Sequence, residues 1–71
     1  MKKTISNKDL EAAVRRAGGV FVRHRGSHAH YRLKTGEMVT LVYDGSREQS
    51  IRGLRHTVGP LLRAGVDIQR D

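Results

Sequence analysis

Histidines and arginines alternate in one short stretch of this chain, Arg23-His24-Arg25-Gly26-Ser27-His28-Ala29-His30-Tyr31-Arg32. Imidazole has a pKa of ~6.5, so it takes up and releases protons around neutral pH. The guanidinium group pairs bidentately with phosphate oxygens. Gly26 would let the backbone approach a phosphate closely, and the amides around Gly26 and Ser27 are available to a developing oxyanion. These residue types suit proton transfer at a phosphate group.

A metal site is the alternative use of the same residues. His24, His28 and His30 supply three nitrogen ligands, a set that zinc accepts. However, no nearby carboxylate is evident that would orient the rings, and the surrounding arginines oppose a divalent cation. The chain has no cysteine, which excludes disulfides and thiolate ligands. We therefore expect no metal and no cofactor.

The whole chain is cationic. Fourteen Lys and Arg, most of them Arg, stand against seven Asp and Glu, which gives a formal net charge of +7 in 71 residues. This surplus favours a polyanionic partner such as nucleic acid, and it also suits an acidic protein. No apolar run approaches the ~20 residues of a membrane span, and no apolar stretch follows the basic start of the chain. We expect a cytoplasmic protein with no membrane contact.

Hydrophobic periodicity predicts the elements that position the histidines. An apolar stripe predicts a first helix from Ser6 to Ala17, capped by Ser6 and stopped by Gly18-Gly19. Strands are predicted over 20–24, 28–33 and 38–43, with turns at 25–27 and 34–37. Apolar spacing from Ile51 to Leu61 predicts a second helix. Because Pro60 is unsuited to a helix interior, we expect a break near residues 58–59 and a separate last turn ended by Gly65.

The predicted fold class is α+β, in the order α-β-β-β-α, with a three-stranded antiparallel sheet and both helices on one of its faces. Residues 1–71 are too few for more than one domain, and we expect residues 1–5 and 67–71 to be frayed. Alternation in the second strand puts Ala29, Tyr31 and Leu33 on the covered face. His28, His30 and Arg32 then lie on the open face, an assignment that one bulge would invert.

The histidine segment resembles the HicA family of toxin ribonucleases, whose fold is similar to the double-stranded-RNA-binding domain (dsRBD-like). Family members show a helix ending in Ala-Gly or Asn-Gly, a hydrophobic strand, an Arg, two variable residues, and Gly-Ser-His followed by an aromatic residue. Here Ala17-Gly18 ends the helix, Arg23 takes the Arg position, Gly26-Ser27-His28 matches, and Tyr31 takes the aromatic position. The resemblance covers residues 6–42, about half the chain. Beyond it, Tyr43-Asp44-Gly45 stands where the family has a Pro and a His.

The resemblance implies the toxin of a type II toxin–antitoxin system, which acts in the stress response. It implies a metal-independent endoribonuclease that cleaves mRNA with His28 as catalytic residue. It also implies an acidic HicB-like antitoxin that inhibits the enzyme by covering this site. The expected RNA-binding residues are Arg23, Arg25, Gly26, Ser27, His30 and Arg32. His24 and His30 are candidate helpers of His28, but the family pattern carries over neither, and exposed polar positions on a solvated sheet face are the better explanation of both. Two alternatives stay open: a non-catalytic RNA-binding module of the same fold, and an interaction module whose charge serves only an acidic protein.

Overall fold

The computed structural model describes residues 4–43, 45 and 47–68. Along the chain lie β1 (Thr4–Ser6), α1 (Asn7–Arg16), β2 (Val20–Arg25), β3 (His28–Arg32), β4 (Met38–Val42), β5 (Glu48–Ser50), a 3₁₀ turn (Arg52–Leu54) and α2 (Arg55–Arg63). Strands β2, β3 and β4 form an antiparallel meander, and β1 pairs with β5 in a separate antiparallel ribbon. The predicted α+β class and α-β-β-β-α order are therefore confirmed, with the β1–β5 ribbon as an addition.

Helix α1 begins and ends where the sequence predicts. The Ser6 hydroxyl accepts a hydrogen bond from the Asp9 amide at 3.1 Å, which satisfies one of the amides that the first helical turn leaves without a carbonyl partner. At the other end Gly18 has a φ of +75°, and the Gly18 and Gly19 amides donate to earlier helix carbonyls at 3.0 and 2.8 Å. This is the Schellman arrangement, in which a left-handed glycine turns the chain out of the helix and here into β2.

Both helices cover one face of the three-stranded sheet. The core between the sheet and the helices contains three leucines that are almost fully buried, Leu10 of α1, Leu41 of β4 and Leu61 of α2. Burial of each leucine side chain contributes ~1.5–3 kcal/mol to the stability of the fold. All six residues of β2 are exposed, because the helices cover β3 and β4 but leave this edge strand uncovered. The core consists of Ile5, Leu10, Ala13, Val14, Ala17, Leu33, Val39, Leu41, Ile51, Leu54, Val58, Leu61, Ala64, Val66 and Ile68.

The predicted break in the second helix is wrong, because α2 runs continuously through Pro60. Proline has no amide to donate to the carbonyl of His56, so the helix lacks one hydrogen bond there. The usual clash of the proline ring with the preceding side chain is absent, however, because that residue is Gly59. Burial of Pro60 and Leu61 then favours the continuous helix. Gly65, at a φ of +89°, ends it as predicted.

The described ends of the chain pack onto the core, although we expected both segments to be frayed. Ile5 is 6% exposed and lies in β1, where it pairs with Gln49 of β5. Ile68 is also 6% exposed. Thr4 and Asp67 are the other described residues of the segments 1–5 and 67–71. Residues 1–3 and 69–71 lie outside the described residues. No helix among the described residues is long and apolar enough to cross a membrane.

Candidate functional site

A tight turn between β2 and β3 positions His28. Arg25 and His28 face each other across the strands, so Gly26 and Ser27 form a two-residue loop. Gly26 has a φ of +58°, and no described residue other than glycine has a positive φ. A positive φ at the first loop position alone is the signature of a type II′ turn, which requires glycine there. Among the described residues other than Gly26 and its two chain neighbours, no atom lies within 4 Å of the place where a Gly26 side chain would stand, so this backbone is open to a ligand.

A β-bulge in β2 decides which of its side chains face the same way as His28. Phe21 stands opposite Tyr31 and Arg23 stands opposite His30, so Val22 is an extra residue in β2. In a regular strand Arg23 would share the face of Phe21, because side chains alternate. The bulge shifts the alternation by one residue. Phe21 therefore stays with Tyr31 on the covered face, their rings 5.7 Å apart and edge to face, while Arg23 lies on the open face.

The open face consists of three cross-strand rows, which read from β2 to β4 are Arg25–His28–Val42, Arg23–His30–Thr40 and Val20–Arg32–Met38. Neighbours within a row have their Cβ atoms about 4.5–5.5 Å apart. The structure thus brings the predicted site residues of these strands together on one face, with Gly26 and Ser27 at its end. The third row differs from the others, because Arg32 stands between exposed apolar side chains, Val20 and Met38.

His28 is exposed at the turn end of this face. It is the first residue of β3, and Arg25, which stands opposite it on β2, is exposed as well. Arg23 is exposed in the adjacent row. An imidazole and two guanidinium groups are therefore accessible from the same side of the sheet.

His30 is held more firmly than its neighbours. It is half-buried, and its Nδ1 is hydrogen-bonded to the Thr40 hydroxyl at 2.9 Å. Thr40 is the residue directly opposite His30 on β4. Sequence reasoning overlooked Thr40, because only the strand register shows which β4 residue faces His30.

The three-histidine metal site considered above is not formed. His24 stands opposite Ala29, a buried residue of the covered face, whereas His28 and His30 belong to the open face. The bulge at Val22 leaves His24 on the far side of the sheet. Within the residues that the structure describes, no group of three or more metal-ligating side chains is placed to hold an ion.

Tyr43, to which the sequence assigns no role, connects the turn between β2 and β3 to α1. Its amide donates to the Ser27 carbonyl at 2.7 Å, a bond for which a proline at this position has no donor. Its hydroxyl donates a short hydrogen bond to the Glu11 carboxylate of α1. Burial raises the pKa of Tyr43 well above its usual range, and the hydrogen bond to the Glu11 carboxylate and its charge raise it further.

Not every arginine is available to a ligand. Arg63 of α2 donates to both carboxylate oxygens of Glu37, with Nε at 3.0 and 2.8 Å and Nη2 at 2.6 Å. These hydrogen bonds hold the pKa of Glu37 below its usual range. The pair ties the end of α2 to the turn between β3 and β4, so Arg63 has a structural partner.

Comparison of the chain with protein-family models, with curated proteins and with solved structures gives no match. The resemblance to HicA toxins therefore rests on the motif residues of the sequence alone.

Proposed function

We propose that this protein is a metal-independent endoribonuclease of the HicA toxin type that cleaves mRNA in the cytoplasm, with His28 as a catalytic residue. The observation that carries the proposal is the exposure of His28 on an open sheet face that also bears Arg23 and Arg25. A histidine buried in the core would have been out of reach of any polynucleotide.

The chemistry needs no group beyond those of the chain and the substrate. The ribose 2′-hydroxyl is an internal nucleophile that DNA lacks, so it separates the two substrates. Its attack on the adjacent phosphorus needs a group that removes the hydroxyl proton, for which imidazole is suited. Guanidinium groups of Arg23 and Arg25 offset the charge that develops on the phosphate oxygens. The open backbone at Gly26 supports close approach of that phosphate.

The same charge supports the second part of the proposal, an acidic HicB-like antitoxin as partner. A net charge of +7 attracts an acidic protein at long range and orients its approach. A partner that lies on the open face covers His28 and the arginines together. Inhibition of the nuclease then follows from exclusion of RNA.

Cleavage of mRNA by the full chain and by its His28→Ala and His28→Gln variants, with a chelator in every reaction, tests the proposal. We expect the wild type to cleave in chelator and both variants to lose ~10²–10⁴-fold in rate, the range typical of an acid–base residue. His56→Ala, which changes an exposed histidine of α2, serves as the matched control and should keep full activity.

Equal rates for His28→Ala and the wild type would refute the catalytic assignment. If the wild type binds RNA with a steep salt dependence and does not cut it, the protein is instead a non-catalytic RNA-binding module. If it does not retain RNA at moderate salt, its charge serves only an acidic protein partner.

A further inference from the structure

His28 and His30 present two imidazoles to the same side of one strand. They are two residues apart in β3 and lie on the open face. A strand rises about 3.3 Å per residue, so their Cα atoms are roughly 6.6 Å apart. Each has an arginine as its β2 neighbour, Arg25 beside His28 and Arg23 beside His30. Two adjacent rows of the sheet thus repeat the same pair of groups.

The two imidazoles differ in how they are held. Nδ1 of His30 is bonded to Thr40, which leaves Nε2 as the nitrogen that exchanges protons with a ligand. A hydroxyl both donates and accepts, so Thr40 donates to Nδ1 in one neutral tautomer and accepts from it in the other tautomer and in the imidazolium ion. The bond therefore persists while the His30 ring gains and loses a proton. That property suits an acid–base group, whereas a purely structural contact has no need of it.

We propose that His30 is a second catalytic residue that completes an acid–base pair with His28, and that Thr40 is its positioning residue. This inference rests on the ribonuclease function proposed above. In an in-line displacement the attacking and leaving oxygens lie on opposite sides of phosphorus, and each needs a proton-transfer group within ~3 Å. Two imidazoles at the spacing of alternate strand residues reach both oxygens of one phosphodiester, which one imidazole does not do at the same moment.

The cleavage step is balanced without a co-reactant. The 2′-oxygen forms a bond to phosphorus as one imidazole takes its proton, and the bond from phosphorus to the 5′-oxygen breaks as the other imidazolium gives that oxygen a proton. The products are a 2′,3′-cyclic phosphate and a free 5′-hydroxyl. Arg23 and Arg25 hold the non-bridging oxygens between the two rows.

The dependence of kcat and kcat/KM on pH, measured with an RNA oligonucleotide for the full chain and two sets of variants, tests this pair. We expect the wild type to give a bell-shaped profile, since one imidazole acts as base and the other as acid. His30→Asn keeps an amide at the position that bonds Thr40 but exchanges no protons. It should lose ~10²–10⁴-fold in kcat and one limb of the bell. His24→Asn changes a histidine on the opposite face of the sheet, so it should leave kcat and both limbs of the pH profile unchanged.

Thr40 is tested by removal and replacement of its hydroxyl. Thr40→Val keeps the shape of the side chain and should lower kcat by ~10-fold with KM unchanged, as expected for a partner that orients a histidine. Thr40→Ser restores the hydroxyl and should restore both kcat and the wild-type pH profile. Loss in Thr40→Val that serine does not rescue would contradict a positioning role.

The outcomes separate this inference from the proposed function. Wild-type activity that is lost in His28→Ala but retained, with both limbs of the pH profile, in His30→Asn would overturn the pair and leave the nuclease in place. A wild type that does not cleave RNA would overturn both. Products without a 2′,3′-cyclic phosphate would also exclude the proposed step.

Discussion

At the scale of single residues, Tyr43 shows how one side chain connects the histidine turn to the first helix. Its amide donates a hydrogen bond to the carbonyl of Ser27, the residue before His28, and its hydroxyl donates one to the Glu11 carboxylate of α1. A hydrogen bond of this kind has a net worth of ~0.5–1.5 kcal/mol. Because burial and the Glu11 carboxylate keep the hydroxyl protonated in the folded state, this contribution depends on pH.

The Tyr43 hydroxyl should make the protein sensitive to alkali. The pKa of Tyr43 is raised above its ordinary value of 10.0, so the unfolded chain releases this proton at lower pH than the folded chain. Stability from this group is complete below about pH 10 and falls as pH rises beyond it. We expect Tyr43→Phe to be less stable than the wild type by ~1 kcal/mol at pH 7, with a gap that narrows above pH ~10. Urea unfolding at a series of pH values measures this gap.

Glu11→Gln is the control for that measurement. It keeps an oxygen that accepts the Tyr43 hydrogen bond but removes the charge that helps to raise the pKa. Its alkaline loss should be smaller than that of the wild type. Parallel stability curves for the wild type and Tyr43→Phe from pH 8 to pH 11 would show that Tyr43 has no coupling to pH.

The sequence identifies some of these residues and not others for a physical reason. Gly26 and His28 are found because a turn glycine and a proton-transfer group are recognisable from residue type. Thr40 and Tyr43 act through partners that are distant in the chain. Which residues face them depends on strand register, and register is set by the whole sheet together with its bulge.

At the scale of elements, periodicity predicts the elements that bury an apolar face. The α1 stripe and the alternation in β3 each place one residue set against the core, and both predictions are confirmed. The β1–β5 ribbon was not predicted, because Glu48–Ser50 is short and polar and shows no apolar alternation. Pro60 misled the prediction of the second helix, since the local cost of proline is outweighed by tertiary packing.

Two single-residue deletions test whether the bulge determines the face of the sheet on which Arg23 lies. Deletion of Val22 removes the extra residue and leaves Arg23 opposite His30. Deletion of His24 is also absorbed by loss of the bulge, but Arg23 then stands opposite Ala29 on the covered face. We expect both chains to fold, with RNA binding near the wild-type level only after deletion of Val22. Binding to a 2′-O-methyl RNA, which cannot be cleaved, measures the difference.

The reverse result would show that the bulge does not set the face of Arg23. Equal binding by the two deletion variants would mean that net charge alone holds the RNA. Circular dichroism and urea unfolding of both chains establish that the comparison is between folded proteins. The deletion of His24 also removes a histidine, so His24→Asn in the full-length chain controls for the loss of its ring.

At the scale of the whole molecule, the surplus of positive charge is spread over several elements. Arg23, Arg25 and Arg32 face one way from the sheet, while Arg15 and Arg16 end α1 and Arg52 lies in the 3₁₀ turn. A uniform cationic surface would attract RNA from every side. A binding face requires that the sheet arginines contribute more than the helical ones, which the salt dependence of binding measures directly.

Each phosphate contact on single-stranded RNA releases counterions and adds ~0.7 to the slope of log K against log salt concentration. We expect Arg23→Gln and Arg25→Gln each to reduce the magnitude of that slope by about this amount for a 2′-O-methyl oligonucleotide. Arg52→Gln removes the same charge from an exposed position outside the sheet and should leave the slope unchanged. Fluorescence anisotropy between ~50 and ~200 mM salt resolves the difference. If all three variants change the slope equally, RNA is attracted by total charge and the open face of the sheet is not its binding site.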